Sequence, residues 1–232
     1  MPFPLVVILF ACGHAPAPTP SDDTPDFQPS YDCSRATSEV EQVICHDETL
    51  AMLDVALDRT YRESPAAGQR EWREARDACA VVPDVRDCVR FAYTTRLREL
   101  CARTSQWCGV YADGTLDWNN PAFEGMSVVS IFPSAEYESL LVTGASVADN
   151  PARASCGVEM WTREIDGELL ATADGVAPPC MAKLVLTRTG IRVDTSEGCQ
   201  SSFCGAAAAW GGDYVRLTSP TDQKLWEQQI VD

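Results

Sequence analysis

The stretch that decides the fold is Tyr31–Tyr61, with the sequence YDCSRATSEVEQVICHDETLAMLDVALDRTY. Ser38 and Glu41 have the spacing of a capping box, in which the two side chains satisfy free backbone N–H groups at a helix start. Asp47 can cap a second helix, whose apolar residues recur every three or four positions and share one face: Leu50, Leu53, Leu57 and Tyr61. This stretch therefore predicts two short amphipathic helices.

The same periodicity continues towards the C-terminus. Trp72, Ala75 and Cys79 share a face of a third helix that stops before Pro83, and Asp84 can start a fourth. We therefore predict an antiparallel helical array over residues 31–104. So small a unit lacks a large core, and we expect disulfides to stabilise it. Its cysteines permit three pairings, which the sequence leaves open: Cys33, Cys45, Cys79 and Cys88.

The order and spacing of these residues resemble the lysozyme inhibitor LprI-like N-terminal domain family. Besides the four cysteines, the residues that carry the resemblance are Asp32, Glu41, Leu53, Asp54, Tyr61, Trp72, Arg76 and Asp77. The resemblance covers about 70 residues and implies a secreted, often lipid-anchored bacterial helical domain associated with lysozyme inhibition. It implies no catalytic residues, and it supports a fold more directly than a function.

The N-terminus favours export. Leu5–Ala11 is an apolar run too short to span a bilayer, and Leu9-Phe10-Ala11-Cys12 resembles a bacterial lipobox. We predict a lipoprotein-type signal peptide over 1–12 with Cys12 lipidated, against an ordinary cleaved secretory signal or a buried apolar end. Residues 13–30 read as a disordered Pro/Ala/Asp-rich tether. Because Gly13 does not look like an inner-membrane retention signal, we expect the anchor in the outer membrane, facing the periplasm.

Eleven cysteines in 232 residues indicate an oxidising compartment. Without Cys12 an even number remains, enough for five disulfides. The candidates are Cys33, Cys45, Cys79, Cys88, Cys101, Cys108, Cys156, Cys180, Cys199 and Cys204. We expect disulfides rather than metal at Cys101 with Cys108 and at Cys199 with Cys204, and Cys199–Cys204 looks like a disulfide-closed loop.

Residues 105–232 consist of short alternating runs separated by turn residues, which predicts an antiparallel β domain. Asp166-Gly167 has the chemistry of a type I′ hairpin turn, and Thr189-Gly190 separates two further strands similarly. About seven strands would form a small barrel or sandwich, followed by a short helix over Asp222–Ile230. The predicted fold class is thus α+β: a disulfide-stabilised helical domain, then an antiparallel β barrel or sandwich. The β part is assigned to no family.

The charge of the chain restricts its partners. Eighteen Lys and Arg against 34 Asp and Glu give a net charge of −16, with the excess concentrated in the β part. So acidic a surface repels phosphate backbones and excludes sequence-independent nucleic-acid binding. It favours a cationic partner, and we expect membrane contact through the lipid anchor.

Candidate catalytic groups are few. His14 lies in the tether, and we expect His46 to cap helix carbonyls. Triad, Walker, dinucleotide and zinc motifs are missing, and carboxylate pairs such as Glu136 with Glu138 and Glu164 with Asp166 are expected by chance. We therefore predict no enzyme, cofactor or metal. Three aromatic residues flank the junction between the helical part and the β part: Trp107, Tyr111 and Trp118. We expect them to form a buried interdomain seam rather than a sugar-binding platform.

Three functions remain open. The first is a bacterial envelope lipoprotein that inhibits a cationic lysozyme-type muramidase by non-covalent binding, with anchors in the acidic loops of the β part. The second is a structural or interaction lipoprotein that does not bind lysozyme. The third is a small-ligand carrier using the interior of the β domain, which would need a cavity of about 300 Å³ or more.

Overall fold

The computed structural model describes residues 28–113, 125–134, 139–148, 155–173, 175–205 and 208–219. These residues form an α+β fold in which helices precede an antiparallel barrel. The α-helices are α1 (Glu39–Cys45), α2 (Glu48–Glu63), α3 (Gln69–Asp77), α4 (Val85–Cys101) and α5 (Glu197–Phe203), and 3-10 turns span Cys33–Arg35 and Ala78–Val81. The strands are β1 (Gly109–Asp113), β2 (Met126–Pro133), β3 (Leu140–Val147), β4 (Ser155–Ile165), β5 (Glu168–Ala173), β6 (Cys180–Leu186), β7 (Gly190–Thr195) and β8 (Gly212–Arg216).

The first helices start where their side-chain caps place them. Ser38 Oγ accepts the Glu41 backbone N–H at 3.1 Å, and Glu41 Oε2 accepts the Ser38 N–H at 3.1 Å, so the predicted capping box is confirmed. Asp47 caps α2 by accepting the Leu50 N–H at 2.9 Å, and Asp84 caps α4. His46 ends α1 with its Nδ1 2.7 Å from the Gln42 carbonyl oxygen, which confirms its capping role.

The strands pair in chain order and close into a barrel, because β1 also pairs antiparallel with β8. Of the two β architectures that the sequence allowed, the structure therefore has the barrel. The predicted Asp166-Gly167 turn is confirmed, since both residues have the positive φ angles, 53° and 79°, that a type I′ turn requires. The described residues form eight strands, where the sequence predicted about seven. The predicted helix Asp222–Ile230 lies outside the described residues.

The helices pack on the outside of the barrel. All eight residues of β2 are buried. Val129 and Ile131 point into the barrel and Phe132 packs against the helices, whereas Met126 and Val128 pack with residues of β1 in a separate apolar cluster. Phe132 and Leu141 belong to the same apolar cluster as the helix residues Leu57 and Leu97. Arg98 of α4 donates from Nη1 to Ser130 Oγ at 3.0 Å. The barrel and the helices therefore share an interface that is mainly apolar.

The ten candidate cysteines form five disulfides. The pairs are Cys33–Cys45, Cys79–Cys88, Cys101–Cys108, Cys156–Cys204 and Cys180–Cys199. The expected Cys199–Cys204 loop is therefore wrong. These residues lie at the two ends of α5, a helix that sequence patterning did not predict, and each crosses to a different strand of the barrel. Two bonds thus fix α5 to β4 and β6.

Candidate functional site

Three of the residues that carry the family resemblance, Asp54, Arg76 and Asp77, meet Tyr93 in a polar network between α2, α3 and α4. The hydroxyl of Tyr93, a fully buried residue, donates to Asp54 Oδ1 at 2.7 Å and accepts from Arg76 Nη1 at 3.0 Å. Arg76 also bonds Asp77 Oδ1 at 2.6 Å. Burial, reinforced by the Asp54 carboxylate, raises the pKa of Tyr93 well above its ordinary value, so the hydroxyl stays protonated. This network connects helices, and of its members only Asp77 is exposed.

The other residues of the pattern also serve the helical fold. Trp72 Nε1 donates to the Ala92 carbonyl at 3.0 Å, and its ring meets that of Tyr93 edge to face at 5.3 Å. Asp32 caps the first 3-10 turn, and Leu53 and Tyr61 pack in the helical core. The structure thus places the sequence-predicted residues in caps, core and network, so a docking surface has to be sought elsewhere.

One candidate surface is the loop closed by the Cys79–Cys88 bond, here called the disulfide loop (residues 79–88). Val81 is 88% exposed, the highest value among the exposed large apolar side chains described, and Val82 beside it is 37% exposed. Carboxylates flank the valines on both sides, at Asp77 and Asp84. The signal that sequence reasoning missed is the apolar Val81-Val82-Pro83 run between two cysteines. A disulfide-held loop with an apolar tip suits insertion into a concave partner.

A second candidate surface is a groove at the junction of the helices and the barrel. The β4–β5 hairpin extends past the first residue of β3, so residues 163–165 pair with β5 and have no partner in β3. Between this hairpin and the C-terminal turns of α2 and α4 lies a partly open groove of about 1110 Å³. Its apolar lining includes Trp161, Ile165 and Leu170, and its charged lining is Arg59, Glu63, Arg163 and Glu164. We call this space the junction groove.

In the described part of the barrel, side chains fill the interior, where a carrier would need a cavity. Trp107, Tyr111, Met160 and Trp210 are each at most 2% exposed and pack in one cluster with inward-facing strand residues. The expectation that Trp107 and Tyr111 line an interdomain seam is wrong, because both belong to this interior cluster. They reach it since Tyr111 is an inward position of β1 and Trp107 immediately precedes that strand. Trp118 lies outside the described residues.

Several other predictions concern residues that the structure does not describe. They involve Cys12, His14, the Glu136–Glu138 pair and most of the tether. Nine acidic residues of the β part are also among the residues that are not described. The described β residues are therefore less acidic than the sequence of the whole β part. Glu164 and Asp166 lie on the exposed β4–β5 hairpin. Among described residues, no cluster of three potential metal ligands occurs and no helix is long and apolar enough to cross a bilayer.

The structure is that of a disulfide-rich protein in which helices precede a closed eight-stranded barrel. A partial sequence match supports an LprI-like domain in this chain. The relatives that support this class are proteins named Lipoprotein LprI, from Mycobacterium tuberculosis and Mycobacterium bovis. Each is 37% identical over an alignment of 102 residues that covers 40% of this chain and 51% of the relative. The chain thus spans about half the length of the curated relatives it matches. No family model and no solved structure matches the chain.

Proposed function

We propose that this chain is an exported, lipid-anchored bacterial envelope protein that inhibits a cationic lysozyme-type muramidase by binding it, without catalysis of its own. The name of the relatives, Lipoprotein LprI, supports a lipid anchor, which we place at Cys12, in the outer membrane and facing the periplasm. The five disulfides suit an oxidising compartment outside the cytosol. The net charge of −16 suits a cationic partner.

The observation that carries the proposal is the exposed apolar tip of the disulfide loop, within the helical part that resembles LprI. An isolated valine on the surface is ordinary, but Val81 and Val82 stand together on a loop whose ends are covalently joined. Burying one such side chain in a partner is worth about 1.5–3 kcal/mol. The covalent constraint lowers the ordering cost of binding.

The preference for a cationic partner comes from the whole chain and not from the loop alone. Near the loop, Asp77 pairs with Arg76 and Asp87 pairs with Arg90. The net charge of −16 of the full sequence therefore supplies the attraction, and the apolar tip supplies the contact. Electrostatic attraction accelerates the encounter and weakens as salt screens it, whereas the apolar contact controls dissociation. The partner's cleft is then blocked sterically.

The test measures lysis of peptidoglycan by a basic lysozyme in low salt, with the oxidised full chain carrying Cys12→Ser. We expect inhibition that weakens with rising salt, and an inhibition constant at least ten-fold higher for Val81→Asp. Val215→Asp is the matched control, since Val215 is an exposed valine of β8 on the barrel. It should change inhibition less than two-fold.

Two results would overturn parts of the proposal. Lysis that continues unaffected at a large molar excess of the parent protein would reject inhibition and favour a structural or interaction role in the envelope. Equal inhibition by Val81→Asp and by the parent would reject the disulfide loop as the contact and leave the acidic loops of the barrel as the alternative. Thermal melting of each variant separates lost contact from lost folding.

A further inference from the structure

We propose that the junction groove binds a short, uncharged amino-sugar oligosaccharide, such as a segment of a cell-wall glycan strand. This gives the protein a second binding function, separate from the disulfide loop. The sugar chemistry is inferred from the lining of the groove. The assignment to wall glycan in particular rests on the export that the proposed function includes.

The charges of the groove select an uncharged ligand. Arg59 and Glu63 come from α2, and Arg163 and Glu164 come from β4, so each side contributes one positive and one negative group. On either side of the groove, a strongly anionic ligand would meet a carboxylate and a strongly cationic ligand would meet a guanidinium. A neutral ligand rich in hydroxyl and amide groups can instead donate to the carboxylates and accept from the guanidiniums.

The uncharged lining matches the two kinds of surface on a pyranose ring. Trp161 and Leu170 supply apolar area, which can cover the C–H face of a sugar ring. An aromatic side chain such as Trp161 is suited to this contact because it offers a large apolar surface. Hydroxyl side chains supply the complement to the sugar's polar edge, and they are Thr60, Thr104, Ser105, Ser139, Thr162 and Thr172. Thr60, Thr104 and Thr162 already donate to backbone carbonyls and keep acceptor capacity, whereas the others can also donate.

One hydroxyl in this lining has unused bonding capacity. Ser139 Oγ is buried and has no hydrogen-bond partner among the residues that the structure describes. A buried hydroxyl without a partner costs about 1–3 kcal/mol, and a ligand hydroxyl or amide can supply the missing bond. Ser139 directly precedes β3, at the rim of the barrel that borders the groove. The unsatisfied atom thus belongs to the proposed site.

Size and position also favour this groove over the barrel. Its volume of about 1110 Å³ is slightly above the usual range of about 300–1,000 Å³ for ligand sites, and its partly open form lets a polymer chain continue beyond the bound sugars. The described barrel interior is occupied by large side chains such as Trp107 and Trp210. An oligosaccharide therefore fits between the helices and the hairpin. The described part of the barrel interior offers no comparable space.

The test is calorimetric titration of the oxidised full chain, carrying Cys12→Ser, with N-acetylchitotetraose, an uncharged amino-sugar oligomer without peptide. We expect saturable binding that Thr172→Arg weakens at least ten-fold, because Thr172 is exposed and lines the groove. Met181→Arg is the matched control. Met181 pairs with Thr172 on the neighbouring strand and is exposed, but it does not line the groove. Its affinity should stay within two-fold of the parent.

Three outcomes would overturn the inference. Failure to saturate at millimolar oligosaccharide rejects the site, and equal weakening by both arginine variants rejects its location. Binding of a peptidoglycan stem peptide in place of the oligosaccharide rejects the ligand class. Val81→Asp should bind the sugar normally, and Thr172→Arg should inhibit lysozyme normally. Failure of the proposed inhibition therefore remains distinguishable from failure of the sugar site.

Discussion

Tyr93→Phe should destabilise the protein strongly while leaving its surface unchanged. The substitution removes the hydroxyl that donates to Asp54 at 2.7 Å and accepts from Arg76 at 3.0 Å, in a side chain with 0% exposure. Hydrogen bonds to charged groups are worth about 1.5–3 kcal/mol each. Asp54 keeps a bond from the Ser30 N–H at 2.8 Å, and Arg76 keeps Asp77, so we take the lower value for each lost bond.

The expected loss in the free energy of unfolding is therefore about 3 kcal/mol. For a chain of this length it corresponds to a melting temperature lower by about 6–12 °C. The assay is urea unfolding of the oxidised protein followed by circular dichroism at 222 nm. Tyr61→Phe is the matched control, because Tyr61 is a half-buried helical tyrosine for which no hydroxyl hydrogen bond is found among the described residues. If both variants unfold within 0.5 kcal/mol of each other, the network does not stabilise the helices.

Three further predictions concern the barrel, the disulfides and a helix cap. Gly144→Ala should destabilise by about 1–3 kcal/mol in urea unfolding, because an added Cβ would overlap the Trp210 indole, whereas Gly157→Ala has open space and should be nearly neutral. Replacing the Cys156–Cys204 pair by serines should lower the free energy of unfolding by about 4 kcal/mol, and replacing Cys101–Cys108 by about 2.4 kcal/mol, in the same assay. The difference arises because the sequence separations are 48 and 7, so the first bond restricts the unfolded chain more. Equal losses would contradict this chain-entropy reasoning. Backbone N–H groups of Thr37 and Ser38 lower the pKa of Glu41 below its ordinary 4.5. The Glu41 carboxylate therefore stabilises the fold above pH 4.5, and this contribution to the free energy of unfolding should disappear as the pH falls through the lowered pKa. In thermal melts across this range, Glu41→Gln should depend less on pH than the parent protein.

The helices were predictable because their signals are local. Ser38, Asp47 and Asp84 each cap the helix that follows within one turn, and the apolar spacing of α2 is visible in a single window of sequence. The β4–β5 turn was predictable for the same reason, since Asp166-Gly167 specifies its own backbone conformation. In each case the energy that fixes the structure comes from residues close in the chain.

The remaining features depend on contacts between distant residues. Barrel closure joins β1 to β8, for which Tyr111 lies opposite Arg216, and no short pattern encodes that pairing. The spacing of Cys199 and Cys204 favours a small loop, but helix α5 directs the two sulfur atoms to different strands. The junction groove is likewise formed by segments far apart in sequence, so its lining could be identified only in the folded chain.

The distribution of roles among residues explains why the resemblance to LprI predicts a helical fold but does not locate a docking site. Asp54 and Arg76 are consumed by the buried network, and Glu41 by a helix cap. In this chain these residues therefore serve the fold, whatever the protein binds. Partner choice must depend on residues that the pattern leaves free, such as Val81 on the disulfide loop and Thr172 in the junction groove. Because neither contributes to the helical core, changing them tests function with little effect on stability.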